Sequence, residues 1–353
     1  MKKFYQNVFR LISSGENLAL ATILYSSGSA PRSAGAKMIV RSDGSIIGTV
    51  GGGRLEAETI RLSQKVHISH QPIMKDFDLT GNDVAGLGMI CGGSGKMFID
   101  YITADDIGMQ AVYKSVLSTL ENEQKAWLIT ELMLVQGEAK ERQQYLVLQD
   151  KTIVGCFQSN PEFINKVFAG PTKISIHTEV RDGWHYIAEP IRNSGTVYLF
   201  GAGHVSQQVA RLTNMVGFRT VIIDDRPEFA NRERFPESDI LLIDDFKCLP
   251  KMFIDSESYV VIVTRGHLND GAVLEQTLLS NAAYIGMIGS KRKRDTLYQD
   301  MQQKGFCEEA LRQVHAPIGI EIYAETPEEI AVSIVAELIK ARAEREKCLT
   351  QEK

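Results

Sequence analysis

Short apolar runs rich in Val and Ile recur through the second half of this 353-residue chain, and helical segments separate them. The runs lie at 196–200, 218–225, 239–244, 259–266 and 282–289. Nearly continuous apolar strands are typical of a parallel sheet buried on both faces, and strand–helix alternation places helices on those faces. The pattern therefore predicts an α/β protein with a C-terminal Rossmann-like parallel-sheet domain over residues 192–353.

The stretch GAGHVS follows the first of these strands and opens a helix. Gly201 permits a tight turn, Gly203 lets a phosphate approach the backbone, and the helix N-terminus supplies free N–H groups. Asp224 and Asp225 end the next strand, about 20 residues further on, where an acidic residue can bind a ribose hydroxyl. The pattern predicts a nucleotide-binding crevice. A Rossmann fold whose glycines serve packing alone is the alternative.

Polar side chains follow four strands at the point where each strand ends. In an open α/β sheet, ligands bind at the carboxyl ends of the strands, so these groups together predict a site for an anionic ligand. An imidazole in the glycine turn either contacts that ligand or hydrogen-bonds a neighbouring loop. The run KRKR taken alone indicates only an exposed helix face. The candidate side chains are His204, Asp225, Arg226, Arg265, His267, Ser290 and Lys291.

Residues 1–191 have a different pattern, in which strand–turn–strand hairpins dominate. The stretch VRSDGSIIGTV (40–50) aligns with VLQDKTIVGCF (147–157), and KMFIDYI (96–102) aligns with HYIAEPI (185–191). This similarity predicts an N-terminal α+β domain built by internal duplication of a hairpin unit. Coincidental similarity between hairpins is the alternative.

Glycine clusters occur only in the first of the two copies, which favours a ligand role for them. In GTVGGGRLEAE, Gly51, Gly52 and Gly53 end a strand, and a helix is predicted to start at once. Their amides can form an anion-binding nest, and Arg54 and Glu56 lie beside it in the sequence. This turn is therefore a candidate site for an anion.

A second cluster, GLGMICGGSGKM, surrounds one of the five cysteines. Close to free N–H groups, Cys91 is expected to have a lowered pKa and to act as a thiolate, with Gly92 and Gly93 beside it. The alternative is a small buried hydrophobic residue. Upstream, GSAPRSAGAKM adds Arg32 and Lys37 as further cations.

Composition excludes several classes of function. The net charge of −5 gives no electrostatic case for binding nucleic acid or an anionic membrane surface. The longest apolar runs fall far short of the about 20 residues of a membrane helix. The cysteines are scattered and form no CxxC pair, so neither a metal site nor a disulfide framework is predicted, and a cytoplasmic location fits.

These motifs together resemble those of the xanthine dehydrogenase accessory family (XdhC/CoxI-like proteins). The matching stretches span residues 28–340 in the family's order. They are GSAPRSAGAKM, GTVGGGRLEAE, GLGMICGGSGKM, LFGAGHV, DDRPEFANRERFP, VTRGHLND, YIGMIGSKRKR, HAPIGIEI and TPEEIAVSIVAELI.

The resemblance implies a chaperone of purine metabolism, often dimeric, that binds molybdenum cofactor (molybdopterin). Such a protein protects the cofactor and helps its sulfurated form enter a xanthine dehydrogenase-type molybdenum hydroxylase. A cysteine desulfurase is a further expected partner. On this hypothesis Gly51–Gly53, Arg54 and the Cys91 loop hold the pterin, and the Rossmann crevice holds a nucleotide.

An NAD(P)-dependent oxidoreductase is the second hypothesis. It rests on the same Rossmann fingerprint, with His267 and Asp270 as proton-transfer groups. The chain offers no recognised set of dehydrogenase catalytic residues, which is an observation against it.

Overall fold

The computed structural model describes residues 1–28, 34–78, 93–122, 124–135, 138–155, 165, 174–178, 184–252 and 254–351. The chain divides into two compact units, Met1–Arg192 and Asn193–Lys353. Antiparallel sheets occur in the first unit and a parallel sheet in the second, so the predicted α/β class is confirmed. Within the described ranges, every helix is too short or too polar to cross a membrane.

The first unit contains two five-stranded antiparallel sheets with helices packed against them. Its elements in chain order are α1 (Lys2–Ser13), β1 (Leu18–Gly28), β2 (Lys37–Arg41), β3 (Ile46–Gly48), α2 (Gly53–Ser69), β4 (Ile73–Asp78), β5 (Gly93–Ile102), α3 (Ile107–Glu121), β6 (Ala126–Val135), β7 (Glu138–Leu148), β8 (Ile153–Gly155), β9 (Ser175–Thr178) and β10 (Trp184–Ile191).

The two sheets repeat one another. Their strand orders are β3-β2-β1-β5-β4 and β8-β7-β6-β10-β9, so each strand of the first sheet has a counterpart in the second. The register agrees as well, because Leu20 pairs with Asp100 in one sheet and Leu128 pairs with Glu189 in the other. This equivalence agrees with the predicted internal duplication and makes Asp100 and Glu189 corresponding residues.

Two ion pairs connect the sheets, and each joins a carboxylate of one sheet to a cation of the other. Arg142 on β7 donates from Nε to Oδ1 of Asp100 at 2.9 Å and from Nη2 to Oδ2. Lys37 Nζ on β2 lies 2.8 Å from Oε2 of Glu189, whose other oxygen accepts from the Tyr5 hydroxyl at 2.6 Å. Lys37, expected at an anion site, is thus a buried structural cation.

The second unit contains a six-stranded parallel sheet of order β13-β12-β11-β14-β15-β16. Its elements are β11 (Thr196–Phe200), α4 (His204–Met215), β12 (Arg219–Asp224), β13 (Asp239–Leu242), β14 (Ser258–Ile262), α5 (His267–Thr277), β15 (Tyr284–Met287), α6 (Lys291–Gln303), α7 (Glu308–Arg312), β16 (Val314–His315) and α8 (Pro327–Gln351).

Helices cover both faces of this sheet, as the apolar strands predict. Val209 of α4 and Leu338 of α8 belong to the core on one face. Val273 of α5 and Leu297 of α6 belong to the core on the other. Because both faces are buried, the strand ends are where polar groups of this sheet can meet a ligand.

Removal of one partner of an ion pair that connects the two sheets should destabilise the first unit strongly. We expect Arg142→Met to lower the free energy of unfolding by about 3–5 kcal/mol, since it leaves the Asp100 carboxylate buried without its cation. Urea unfolding followed by tryptophan fluorescence measures this, because both tryptophans, Trp127 and Trp184, lie in this unit.

The matched control is Arg61→Met, which removes an exposed ion pair to Glu58 and should cost much less stability than Arg142→Met. The double variant Asp100→Leu/Arg142→Met should recover most of the lost stability. Equal losses of unfolding free energy in Arg142→Met and Arg61→Met would contradict a structural role for the ion pairs that connect the sheets.

Candidate functional site

The order of the parallel strands places a crevice between β11 and β14. Chain order runs β11, β12, β13 in one direction from β11, and β14, β15, β16 in the other. Loops that follow β11 and β14 therefore leave the sheet toward opposite faces, and ligands of open α/β sheets bind where they part. The turn 201–203 follows β11, and residues 263–266 follow β14.

Glycine stands at positions 201 and 203 of the turn after β11 for two different physical reasons. Gly201 has φ +106°, and a Cβ there would lie 2.4 Å from the Val263 carbonyl oxygen, so backbone conformation and packing both require glycine. Gly203 has φ −72° and ψ −169°, which any residue adopts. Apart from its two chain neighbours, no heavy atom of the described residues lies within 4 Å of a Cβ at position 203. Glycine at 203 thus leaves space open at the N-terminus of α4.

Asp224 is held by groups of its own fold. Its carboxylate is buried and accepts from the amides of Ala202 at 2.6 Å and Arg226 at 3.0 Å. The Arg226 guanidinium adds two bonds, from Nε at 2.9 Å and Nη2 at 3.0 Å. Burial alone would raise the pKa of Asp224, but these hydrogen bonds hold it below its ordinary value. Asp224 and Arg226 therefore fix the glycine turn, and a ribose ligand at this strand end stays a prediction.

Asp225 and Arg265 are brought together as an ion pair at the same edge. Arg265 Nη2 lies 2.7 Å from Asp225 Oδ2, and the arginine side chain is about half exposed. Strands β12 and β14 flank β11 at a separation of about 10 Å, so this pair crosses the carboxyl end of β11. His204, exposed in the first turn of α4, lies at the same edge.

Asp270 is wholly buried and bonded within the fold, so its predicted part in proton transfer stays a prediction. Its Oδ1 accepts from the Thr264 amide at 3.1 Å and the Thr264 hydroxyl at 2.5 Å. Its Oδ2 pairs with Lys293, whose ion pair the sequence did not reveal. Lys293 stands four residues before the buried Leu297 on α6, and that spacing was the available signal. The His267 side chain lies outside the described residues.

Ser290 and Lys291 begin helix α6 after β15. The Ser290 hydroxyl accepts from the Lys293 amide at 3.2 Å and so caps the helix. Lys291 is exposed in the first turn. Ser290 therefore has a structural partner, whereas Lys291 is available to an anion.

The glycine turn of the first unit is closed by its own side chains. The Gly51 amide donates to Thr49 Oγ1 at 3.1 Å, and the Gly52 amide donates to Glu56 Oε1 at 3.1 Å. The Thr49 hydroxyl also bonds Glu56. The expected free amides are thus occupied here, because a carboxylate of the following helix fills the nest.

The remaining candidates of the first unit are less constrained. Arg54 is exposed, and Gly53 opens helix α2. Gly93 pairs with Gly28 at the start of β5. Cys91 and Gly92 lie outside the described residues.

Two observations limit what else can hold a ligand. The cavity between the two sheets of the first unit has a volume of about 20 Å³, room for one water molecule, and so excludes a pterin. Among the described side chains, no group of three or more His, Cys, Asp and Glu is placed to hold a metal ion.

Comparison with known proteins identifies both units. The family model described as the XdhC and CoxI family matches residues 11–78, and the model described as the XdhC Rossmann domain matches residues 197–338. A crystal structure from Bacillus halodurans, described as a xanthine dehydrogenase, has a TM-score of 0.77 and 26% identity. The match covers 97% of this chain and 96% of that one.

Three curated relatives match most of this chain. YqeB of Escherichia coli is 26% identical over 92% of the chain, which spans only 43% of that longer protein. A Bacillus subtilis protein, described as a probable xanthine dehydrogenase subunit, is 26% identical over 97% of this chain and 98% of its own length. The molybdenum cofactor insertion chaperone PaoD of Escherichia coli is 22% identical over 95% and 86%, respectively.

Replacement of the turn-fixing carboxylate should destabilise the second unit in a pH-dependent way. We expect Asp224→Asn to cost about 3 kcal/mol at pH 7, because it leaves the Arg226 guanidinium with only its longer contact to Asp225, 3.7 Å from Nε to Oδ1. A carboxylate with a lowered folded-state pKa contributes stability above its unfolded pKa of about 3.9 and loses it as pH falls through the folded value. The difference between variant and wild type should therefore be full at pH 7 and shrink below about pH 4.

Scanning calorimetry at several pH values measures this difference. Arg265→Met is the control, since it removes only the half-exposed partner of Asp225, which keeps its contact to Arg226, and it should cost less than about 1 kcal/mol. A loss for Asp224→Asn that stays constant from pH 7 to pH 3 would contradict the assignment.

Proposed function

Because the chain belongs to the XdhC and CoxI family and matches the models of both its domains, we propose that it is an accessory protein in molybdenum-enzyme maturation. It binds molybdenum cofactor in the cytoplasm and delivers it to a xanthine dehydrogenase-type hydroxylase. The match to an insertion chaperone over 95% of this chain supports this proposal. The chain spans less than half of YqeB, so the cofactor that it carries and the hydroxylase that it serves are both part of the proposal.

The open space at Gly203 is the observation that carries the proposed binding site. Neither backbone conformation nor packing requires glycine at this position, so the missing side chain is best explained by the close approach of a ligand. The amides at the start of α4 and its positive dipole end favour an anion there. Molybdopterin carries a phosphate, and this turn has the space and polarity for that group.

Charged side chains around the turn have complementary roles. Arg265 is held by Asp225 beside the carboxyl end of β11, where it can turn to a phosphate oxygen. His204 and Lys291 are exposed at the starts of two helices on the same edge and add hydrogen-bond donors. The nucleotide part of a dinucleotide form of the cofactor, or a separate nucleotide, binds at this edge.

The first unit carries the thiol. In the proposed mechanism Cys91 is a thiolate that would ligate molybdenum, since thiolates prefer soft metals. Arg54 is exposed beside the Gly51–Gly53 turn, where Glu56 must leave the nest before an anion can enter. Sulfuration of the cargo, with a cysteine desulfurase as partner, belongs to this part of the proposal.

A small side chain at the open glycine should abolish binding without unfolding the protein. We expect Gly203→Ala to retain at least tenfold less pterin per chain than wild type, because a methyl group fills the space that the phosphate needs. The variant should lose no more than about 1 kcal/mol of stability, the cost of alanine at an N-cap. Mass spectrometry of ligands released from anaerobically purified protein measures retention, and calorimetry measures stability.

Gly201→Ala is the contrasting variant, since its methyl group would meet the Val263 carbonyl, and it should unfold at markedly lower temperature. Asp239→Asn, at an exposed ion pair of the same unit, should change neither quantity. Wild type without bound pterin, or Gly203→Ala with normal retention and normal activation of the hydroxylase, would overturn the proposed site.

Cys91→Ala tests the role of the thiol separately from the binding of the pterin. We expect the variant to bind pterin to at least half the wild-type level but to deliver cofactor that activates the hydroxylase at least tenfold less well. Cys248→Ala, at an exposed cysteine of the other unit, is the control. Unchanged activation by the Cys91 variant removes the thiol from the mechanism.

A further inference from the structure

An arginine without an acidic partner lies beside the glycine turn of the second unit. Arg234, in the loop between β12 and β13, donates from Nη2 to the Ala202 carbonyl at 3.3 Å. That carbonyl belongs to the peptide bond that joins Ala202 to Gly203, so the guanidinium lies next to the open space at Gly203. In the part of the chain that the structure describes, Arg234 has no carboxylate partner, and the neighbouring Glu228 and Glu233 are exposed.

The hydrogen bonds of this guanidinium are incomplete. An arginine side chain has five N–H donors and no acceptor. Nε of Arg234 is buried and has no acceptor among the described residues, and the bond to Ala202 uses a donor of Nη2. A buried donor is normally matched by an acceptor. The unmatched Nε therefore indicates that a group from outside the chain completes the arrangement.

The loop holds Arg234 in place by its own hydrogen bonds. The Arg234 amide donates to Asn231 Oδ1 at 3.0 Å, and Asn231 Nδ2 donates to the Glu228 carbonyl at 3.0 Å. From helix α4, Gln207 Nε2 donates to the Arg234 carbonyl at 3.3 Å. The guanidinium lies over the ring of Phe229, 5.3 Å from its centroid. A cation that is already positioned loses little entropy when it binds an anion.

Cations outnumber carboxylates at the carboxyl end of β12. Asp224 pairs with Arg226 at 2.9 Å, and Asp225 pairs with Arg265 at 2.7 Å. Two carboxylates thus meet three guanidinium groups, and the charge of Arg234 is the one that remains. An excess positive charge beside a helix N-terminus favours an anion over a neutral sugar hydroxyl.

We propose that Arg234 binds a phosphate monoester of the ligand at the Gly203 turn and makes this site selective for phosphorylated ligands. A guanidinium matches the oxygens of a phosphate with two parallel hydrogen bonds, and the amides at the start of α4 can bind a further oxygen. A ligand with a hydroxyl in place of the phosphate leaves the charge of Arg234 unpaired. This inference rests on the proposed anion site at Gly203 and adds the residue that gives that site its selectivity.

The space at Gly203 is lined by Arg234 but not filled by it. Apart from Ala202 and His204, no heavy atom of the described residues lies within 4 Å of a Cβ at position 203. A phosphate can therefore enter between the turn and the guanidinium. The phosphate of a pterin and a phosphate on the ribose of a nucleotide have this chemistry in common.

Two pairs of fluorescent ligands test the selectivity and distinguish these two sources. Hydroxymethylpterin and its monophosphate form one pair, and NADH and NADPH form the other, so the members of each pair differ by one phosphate. Each ligand is titrated into the full chain. In the pair that binds more tightly, wild type should bind the phosphorylated member at least about tenfold better, the strength of hydrogen bonds between charged groups. Arg234→Gln should reduce this ratio to less than about threefold.

Arg232→Gln is the matched control, because Arg232 is an exposed arginine of the same loop that donates to the Ser238 carbonyl at 2.7 Å. It should keep the wild-type ratio. Each ratio compares two ligands on the same variant, so a general loss of stability does not change it.

An unchanged ratio in Arg234→Gln overturns the proposal. So does a wild type that binds both members of each pair equally, or that binds no ligand of either pair with a Kd below about 1 mM. Selectivity within the pterin pair supports both Arg234 and the pterin as cargo. Selectivity within the dinucleotide pair alone supports Arg234 but removes the pterin from this edge, so failure of the proposed function is seen separately.

Discussion

A carboxylate that is removed from water needs a cation or strong hydrogen-bond donors, and this constraint organises both units of the chain. An unpaired buried carboxylate costs several kcal/mol, a large part of a typical protein's net stability, so a buried acid constrains where its partner has to lie. Both sheets of the first unit and both loops of the Rossmann crevice follow this rule. The pairs are Asp100 with Arg142, Glu189 with Lys37, Asp224 with Arg226 and Asp270 with Lys293.

The same constraint explains where predictions from the sequence agree with the structure and where they differ from it. Strands, glycine turns and helix starts are local patterns, and the α/β class, the parallel sheet and the duplicated hairpin unit all followed from them. Ion pairs between distant residues leave no local pattern, so Lys37 was placed at an anion site although it lies beneath Glu189. Asp224 has the spacing of a ribose ligand, but only the fold shows that its carboxylate is turned toward the Ala202 amide.

Duplication of the first unit shows how one scaffold can keep its core contacts while its surface changes. Lys37 Nζ donates to Thr22 Oγ1 at 3.2 Å in one sheet, and Gln144 Nε2 donates to Thr130 Oγ1 at 2.9 Å at the equivalent place in the other. The donor is kept although the charge is not. Lys37, the charged member, is the one that pairs with Glu189 of the opposite sheet. The glycine cluster Gly51–Gly53 is found in the sequence of the first copy and not at the aligned positions 158–160 of the second.

Once the buried acids have taken their cations, few charged groups remain for a ligand. Arg226 was a candidate from the sequence, and Lys293 is close to the candidates Ser290 and Lys291. Both cations form ion pairs with buried carboxylates, and Ser290 caps helix α6. Arg265 differs, because its own side chain is about half exposed and Asp225 also pairs with Arg226, so a phosphate can draw Arg265 away without leaving that carboxylate without a cation. Gly203 differs from Gly201 in a similar way, since the fold requires glycine at position 201 but not at position 203. The residues that the fold does not need are thus the ones assigned to the proposed ligand site, and they lie at one edge of the parallel sheet.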